Sequence, residues 1–223
     1  MAGREVQSDS IVGVSMRIAT EELEKYERIK QLERLGQNVP MLIRIPCGTK
    51  FDGKLEKELR DFAGGRKLMT VRTYAPEAEK LHGGGPFFPE IPVHKAIAKV
   101  RDLLPRYHVL FQEAIDWKKT RLVGRTLFRP LAENAYEVMR GSRIRVRDLD
   151  NPPAGKKVIS GLFSDPSEVA DPEIRTIIEK TFRIPRALGE VAPVILEWNL
   201  QEPTDRVGTK GEPLLLWEWR PGA

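Results

Sequence analysis

Apolar and polar residues alternate along Ile11 to Ile18, with Val12, Val14, Met16 and Ile18 on one side, the period-two signature of a strand. A helix is expected to follow: Thr20 caps it, Glu21, Glu22 and Glu24 sit near its positive end, and Leu23, Tyr26, Ile29, Leu32 and Leu35 recur every three residues down to Gly36. Met41, Ile43 and Ile45 share one side of a short strand. Asp52 then opens a helix carrying Leu55, Leu59 and Phe62, stopped by Gly64 and Gly65. Lys67 to Tyr74 returns to strand alternation. This β-α-β-α-β order over residues 11–74 predicts that some strands lie parallel, with helices packed on the sheet.

Residues 75–92 break the periodicity with Pro76, Gly83, Gly84, Gly85, Pro86, Pro89 and Pro92. Beyond them, Val93, Ile97, Val100 and Leu104 mark one face of a helix ending before Pro105, and Tyr107 to Ile115 reads as a strand, with a helix as the alternative. Pro130 fits the first turn of a helix running through Ala135, Tyr136 and Met139 to Gly141. Ser142 to Asp148 and Lys157 to Phe163 read as strands around the turn-rich Asp150 to Gly155. Pro172 begins a helix with Ile174, Ile177, Ile178 and Phe182 turned inward. Val194 to Leu200 and Leu214 to Trp219 form a terminal hairpin, each arm containing a Glu-Trp pair, Glu197-Trp198 and Glu218-Trp219. The expected fold class is α+β: a mixed β-sheet with helices packed on it and a C-terminal β-hairpin. One compact domain over 1–223 is expected, with any internal division near 75–92, between a βαβαβ unit (11–74) and a basic α+β part (93–223).

Composition narrows the class. At 223 residues the chain is long enough to bury a substantial core. Nothing in it approaches the roughly 18 consecutive apolar residues of a membrane span, and the opening MAGREVQSDS lacks the apolar centre of a secretory signal. A single cysteine, Cys47, excludes an internal disulfide and a cysteine-based zinc cage, so a reducing, cytoplasmic setting is expected. His82, His94 and His108 match no zinc spacing, and no metal or cofactor motif is present.

Charge is distributed unevenly. The net charge is +5, yet between Lys118 and Arg147 there are nine basic residues and only two acidic ones. Arg143, Arg145 and Arg147 alternate with Ile144 and Val146, which on a strand sets the arginines in one row about 6.6 Å apart. Guanidinium groups fork onto phosphate oxygens, so such a row can follow a nucleic-acid backbone, with Lys118, Lys119, Arg121, Arg125 and Arg129 widening the footprint and Trp117 stacking on a base. The competing reading is a solvated sheet face whose charge guards against aggregation.

Three further features bear on chemistry. The run His82-Gly83-Gly84-Gly85 would let backbone N–H groups approach an anion, although it matches neither the Walker nor the dinucleotide pattern and reads more readily as a connector. Cys47 follows a strand and precedes Lys50, a setting that can lower a thiol pKa, although most lone cysteines only pack. Glu197 and Glu218 would face each other if the two arms of the hairpin pair; rim positions facing solvent are the simpler assignment. No catalytic set emerges.

These observations lead to a non-enzymatic nucleic-acid-binding or nucleoprotein-complex subunit, making sequence-independent phosphate contacts through residues 118–147. The alternatives are a structural assembly subunit of a viral particle or other shell, with the apolar 213–219 strand as an oligomer contact, and a small enzyme acting on a phosphorylated substrate.

Overall fold

Every strand pairing among the described residues is antiparallel, so among them none of the parallel pairing predicted from the β-α-β-α-β order is found. The computed structural model describes residues 26–74, 86–190 and 192–222; the expected strand at 11–18, the Thr20 cap and the His82–Gly85 run lie outside them. In chain order the main elements are α1 (26–34), β1 (Leu42–Ile45), α2 (Gly53–Ala63), β2 (Leu68–Tyr74), β3 (Phe87–Pro92), α3 (Val93–Leu103), β4 (His108–Glu113), β5 (Thr120–Phe128), β6 (Asn134–Arg140), β7 (Val158–Phe163), α4 (Pro172–Thr181), α5 (Ile184–Ala187), β8 (Val194–Gln201) and β9 (Leu214–Pro221). They divide into two compact units, residues 41–114 and residues 26–40 with 115–222. The class is α+β, as expected, with two antiparallel sheets in place of one mixed sheet and with the terminal hairpin formed by β8 and β9.

In residues 41–114 the sheet order is β1-β4-β2-β3. Asp52 begins α2 as the sequence predicts, its carboxylate accepting from Leu55 N at 2.9 Å, and Gly64 ends it in the left-handed region. Both helices pack on the sheet face carrying Ile45, Met69, Val71, Val109 and Phe111, all buried with Leu59, Ile97 and Val100 in one core. The opposite face holds one row that matters below: Arg44 on β1 and Arg72 on β2 are both register partners of Leu110 on β4.

The other unit is built on β7-β6-β5-β8-β9. One face, carrying Gly124, Thr126, Leu196, Trp198 and Trp219, receives the helices. Trp219 Nε1 donates to Gln31 Oε1 of α1 at 3.0 Å, and Phe182 at the end of α4 meets Phe128 and Phe163 edge-on or tilted. Phe182, expected inside, is 37% exposed because it caps the helix at the margin of this layer. Asn38 locks the connection between β8 and β9: its Nδ2 donates to Val207 O, Glu212 O and Leu214 O at 2.9–3.0 Å, and its Oδ1 accepts from Lys210 N at 2.8 Å. Asn38→Ala leaves these groups without their partner and is expected to cost about 1–3 kcal/mol in a urea unfolding titration.

Two expected elements are replaced. The helix predicted from Pro130 is strand β6, because residues 129–134 form a tight connection in which Arg129 N donates to Asn134 Oδ1 at 2.9 Å, and β5 supplies a full antiparallel partner. Ala135, Tyr136 and Met139 suit either period, and strand pairing decides between them. The strand predicted over Ser142 to Asp148 is irregular: Arg143 adopts φ 60° and Val146–Leu149 forms a 3-10 turn. Ile144 and Val146 are nonetheless buried, so the alternation in burial is real without the strand.

Helix α4 starts as predicted, with Pro172 in its first turn and Asp171 accepting from Glu173 N and Ile174 N at 3.0 and 3.1 Å. Burial works to raise the Asp171 carboxyl, but the Arg140 guanidinium and the Ile174 and Glu173 amides outweigh it and hold it below its ordinary value of 3.8. A depressed carboxyl stabilises the folded state above its unfolded value, and that contribution is lost as pH falls through the lowered one. Asp171→Asn is therefore expected to lower the urea midpoint near neutral pH, with the gap to wild type closing below about pH 3.8; Asp171→Ala should cost about 1 kcal/mol near neutral pH.

Candidate functional site

Register brings charged residues into one line across the five-stranded sheet, on the face opposite α1. Glu137 on β6 is the partner of Ser160 on β7 and of Arg125 on β5; Arg125 is also the partner of Glu197 on β8, and Glu197 of Glu218 on β9. Directly opposed residues in an antiparallel sheet project to the same side with Cβ atoms roughly 4.5–5.5 Å apart, so the Glu197 and Glu218 carboxylates leave the sheet together. Glu218 is only 9% exposed, which removes it from the solvent-facing rim where the simpler assignment put it.

Cations flank the pair on both sides. Arg125 is hydrogen-bonded to Glu137 and ion-paired with Asp150 at 2.7 Å. Burial opposes its charge, but those two carboxylates outweigh burial and raise its pKa above the ordinary guanidinium value. On the outer side, Arg220 Nε stands 3.4 Å from Glu197 Oε1.

Buried polar groups cluster one step along the same face. Asn199, fully buried, has no hydrogen-bond partner for either side-chain atom, and neither has Gln201 Oε1 nor the indole nitrogen of Trp217. Gln201 Nε2 does donate to Thr120 Oγ1 at 3.0 Å. An unmatched buried polar group costs about 1–3 kcal/mol, so such a concentration is unusual away from a site that meets polar ligands. Trp217 stacks on Trp117 with ring centroids 5.5 Å apart, and the Arg145 guanidinium lies over the Trp117 ring at 5.5 Å.

The basic residues 118–147 do not gather into an exposed row. Lys119 pairs with Asp205 at 3.0 Å, Arg121 with Glu173 at 2.6 Å, and Arg140 with both Glu173 and Asp171. Arg129 donates to Glu133 O at 2.9 Å, and Arg147 lies 3.9 Å from Asp148. Lys118 and Arg143 are exposed, while Arg145 is turned onto Trp117. Carboxylates supplied from distant parts of the sequence thus balance most of the local charge excess. Cys47 is half-buried, its backbone N–H donating to His108 Nδ1 at 3.0 Å, and His94 is an exposed residue of α3.

Among the described residues no three His, Cys, Asp or Glu side chains converge on a metal position. The pair Glu197–Glu218 suits a hard divalent cation of the magnesium type, which is commonly held by one or two carboxylates and completes its shell with water and phosphate oxygens. The unmatched amide of Asn199 beside the pair adds a neutral oxygen of the right kind. In the other unit, Arg44 and Arg72 occupy one side of the sheet two strands apart, about 10 Å between backbones, with Arg72 over the Phe87 ring at 5.0 Å. Guanidinium forks at that spacing suit a polyphosphate.

Sequence reasoning found the carboxylate pair through the repeated Glu-Trp but left it at the rim. It missed Asn199, Arg220, Arg44 and Arg72, since nothing in the local pattern separates them from ordinary strand residues. Strand alternation around Arg44 and Arg72 was legible; which of the two faces lies away from the helices was not.

No protein-family model matches the chain, and no curated protein matches it. Solved structures do. Macrocyclase MdnC from Microcystis aeruginosa MRC, bound with precursor peptide MdnA, is 14% identical with a TM-score of 0.50, covering 95% of this chain and 56% of that one. The ADP complex of purK, N5-carboxyaminoimidazole ribonucleotide synthetase, is 11% identical with a TM-score of 0.50, covering 89% and 44%. The chain thus spans about half the length of these proteins. Among the described residues no helix is long and apolar enough to cross a membrane. The expectation of a non-enzymatic nucleic-acid-binding subunit is corrected by this likeness and by the ion pairing of residues 119–147. The fold is ATP-grasp-like, with two antiparallel sheets and their helices.

Proposed function

We propose that the chain is an ATP-dependent enzyme of the ligase or synthetase type. The observation that carries this reading is the in-register carboxylate pair Glu197–Glu218, set on the sheet face opposite α1 in a fold shared with an ADP-bound synthetase. A divalent cation held there would neutralise phosphate charge. Glu197 and Glu218 hold the cation, with Asn199 as a neutral neighbour. Arg125 and Arg220 bring positive charge to the same row, and the buried setting of Glu218 keeps competing water away from its oxygens. Arg44 and Arg72 supply a second, separate pair of phosphate-binding forks. The substrate joined or activated is a matter of the acceptor, for which the peptide-bound macrocyclase and the ribonucleotide synthetase represent two chemistries on one fold.

Titration calorimetry with the non-hydrolysable analogue AMPPNP tests the reading. Binding is expected in the presence of Mg²⁺ and should weaken at least tenfold when EDTA replaces the metal. Absence of binding under both conditions overturns it.

A further inference from the structure

Glu197 already carries a cation of the chain's own. Arg220 lies two residues beyond Glu218 on β9 and is the register partner of Ile195, which places it diagonally across from Glu197 on the same face. Diagonal neighbours sit roughly 7–8 Å apart at their backbones, within reach of an arginine, so the hairpin register itself creates the 3.4 Å contact. The two arginines of the row are held differently. Arg125 is gripped by both Glu137 and Asp150, whereas the contact of Arg220 to Glu197 is long and its side chain is 41% exposed. A divalent cation approaching Glu197 would meet that guanidinium as a like charge a few ångströms away.

We propose that Arg220 is the resident counter-ion of the cation site: it occupies Glu197 while no nucleotide is bound, and it turns to phosphate oxygens when cation and polyphosphate arrive together. Cation binding is thereby made conditional on the polyphosphate, since a phosphate offers Arg220 a new anion while Glu197, with Glu218, passes to the metal. No bond is made or broken in this exchange; one ion pair replaces another. The inference rests on the ATP-dependent reading above and assigns the order in which its two ligands can bind.

Electron paramagnetic resonance of Mn²⁺, titrated into the full chain with and without AMPPNP, reads the exchange directly and needs no turnover. Wild type is expected to bind Mn²⁺ weakly alone and at least tenfold more tightly with AMPPNP. Arg220→Met should tighten binding of Mn²⁺ alone by about tenfold, through removal of the competing charge, and should lose most of the nucleotide-driven gain. Arg220→Lys keeps the charge and is expected to resemble wild type. Arg220→Met binding Mn²⁺ alone no more tightly than wild type, while Glu218→Gln abolishes binding, overturns the role of Arg220 and leaves the site standing. No Mn²⁺ binding by wild type even with AMPPNP overturns the site and Arg220 together.

Discussion

Glu218→Gln is expected to remove magnesium-dependent nucleotide binding, raising the apparent Kd for AMPPNP at least a hundredfold while leaving the melting temperature within a few degrees of wild type. The neutral amide keeps the shape of the side chain and its place opposite Glu197, so the sheet has little reason to change. What it loses is one of the two negative charges that a hard cation needs, and a carboxamide binds such an ion through one weak oxygen. Calorimetry in Mg²⁺ measures the loss, and circular dichroism reports the fold. Binding that persists within threefold would place the cation elsewhere and remove the pair from the site. Glu137→Gln is the internal control: Glu137 lies on the same row but is engaged by Arg125, three strands from Glu218, and its substitution should change AMPPNP affinity far less.

Trp198→Ala should lower stability by about 3–5 kcal/mol, the largest single loss expected in the chain. Trp198 is fully buried on the helix-bearing face, its indole N–H donates to Thr126 Oγ1 at 3.1 Å, and its ring lies flat across Gly124 on the neighbouring strand. A Cβ at position 124 would come within 2.3 Å of the Trp198 ring. Gly124→Ala therefore displaces the indole and should cost about 1–3 kcal/mol on its own. The two changes are expected to be strongly non-additive, because the space vacated by the indole accepts the new methyl group. Chemical unfolding of the two single variants and the double variant measures this coupling, and simple additivity would show that the ring and Gly124 are not in contact.

How far the sequence could be read depends on what kind of information each element uses. α2 was legible to both caps and α4 to its first turn, because Asp52, Gly64 and Pro172 act locally on the backbone they touch, while the Asp171 cap emerges only from the structure. β1, β2 and β8 were legible because apolar side chains recur on one face of each, and β9 as a continuous apolar run; β4, buried at every position from Val109 to Glu113, fitted strand and helix alike. Residues 130–149 were not. There the apolar spacing of Ala135, Tyr136 and Met139 fits two periods, and the buried Ile144 and Val146 alternate on a turn that only tertiary packing supports. The basic region misled for a related reason: sequence shows charge but not its counter-ions, and Asp150, Asp171, Glu173 and Asp205 come from outside the window that was counted. The carboxylate pair needed only one fact absent from the sequence, the register of β8 against β9.

That register is not uniform. Asn199 pairs with Leu215, Trp198 with Leu216, and Glu197 with Glu218, so Trp217 is an extra residue in β9 with no opposite number. The extra residue lets Leu215 and Glu218 emerge on one side of the sheet although they are an odd number of positions apart. Evolutionary tolerance along the hairpin should therefore be sharply uneven. Loss of Trp217 would only close the bulge and leave Glu218 opposite Glu197, whereas a one-residue slip of the β8–β9 register would send Glu218 to the helix-bearing side and dismantle the charged row without altering any residue in it.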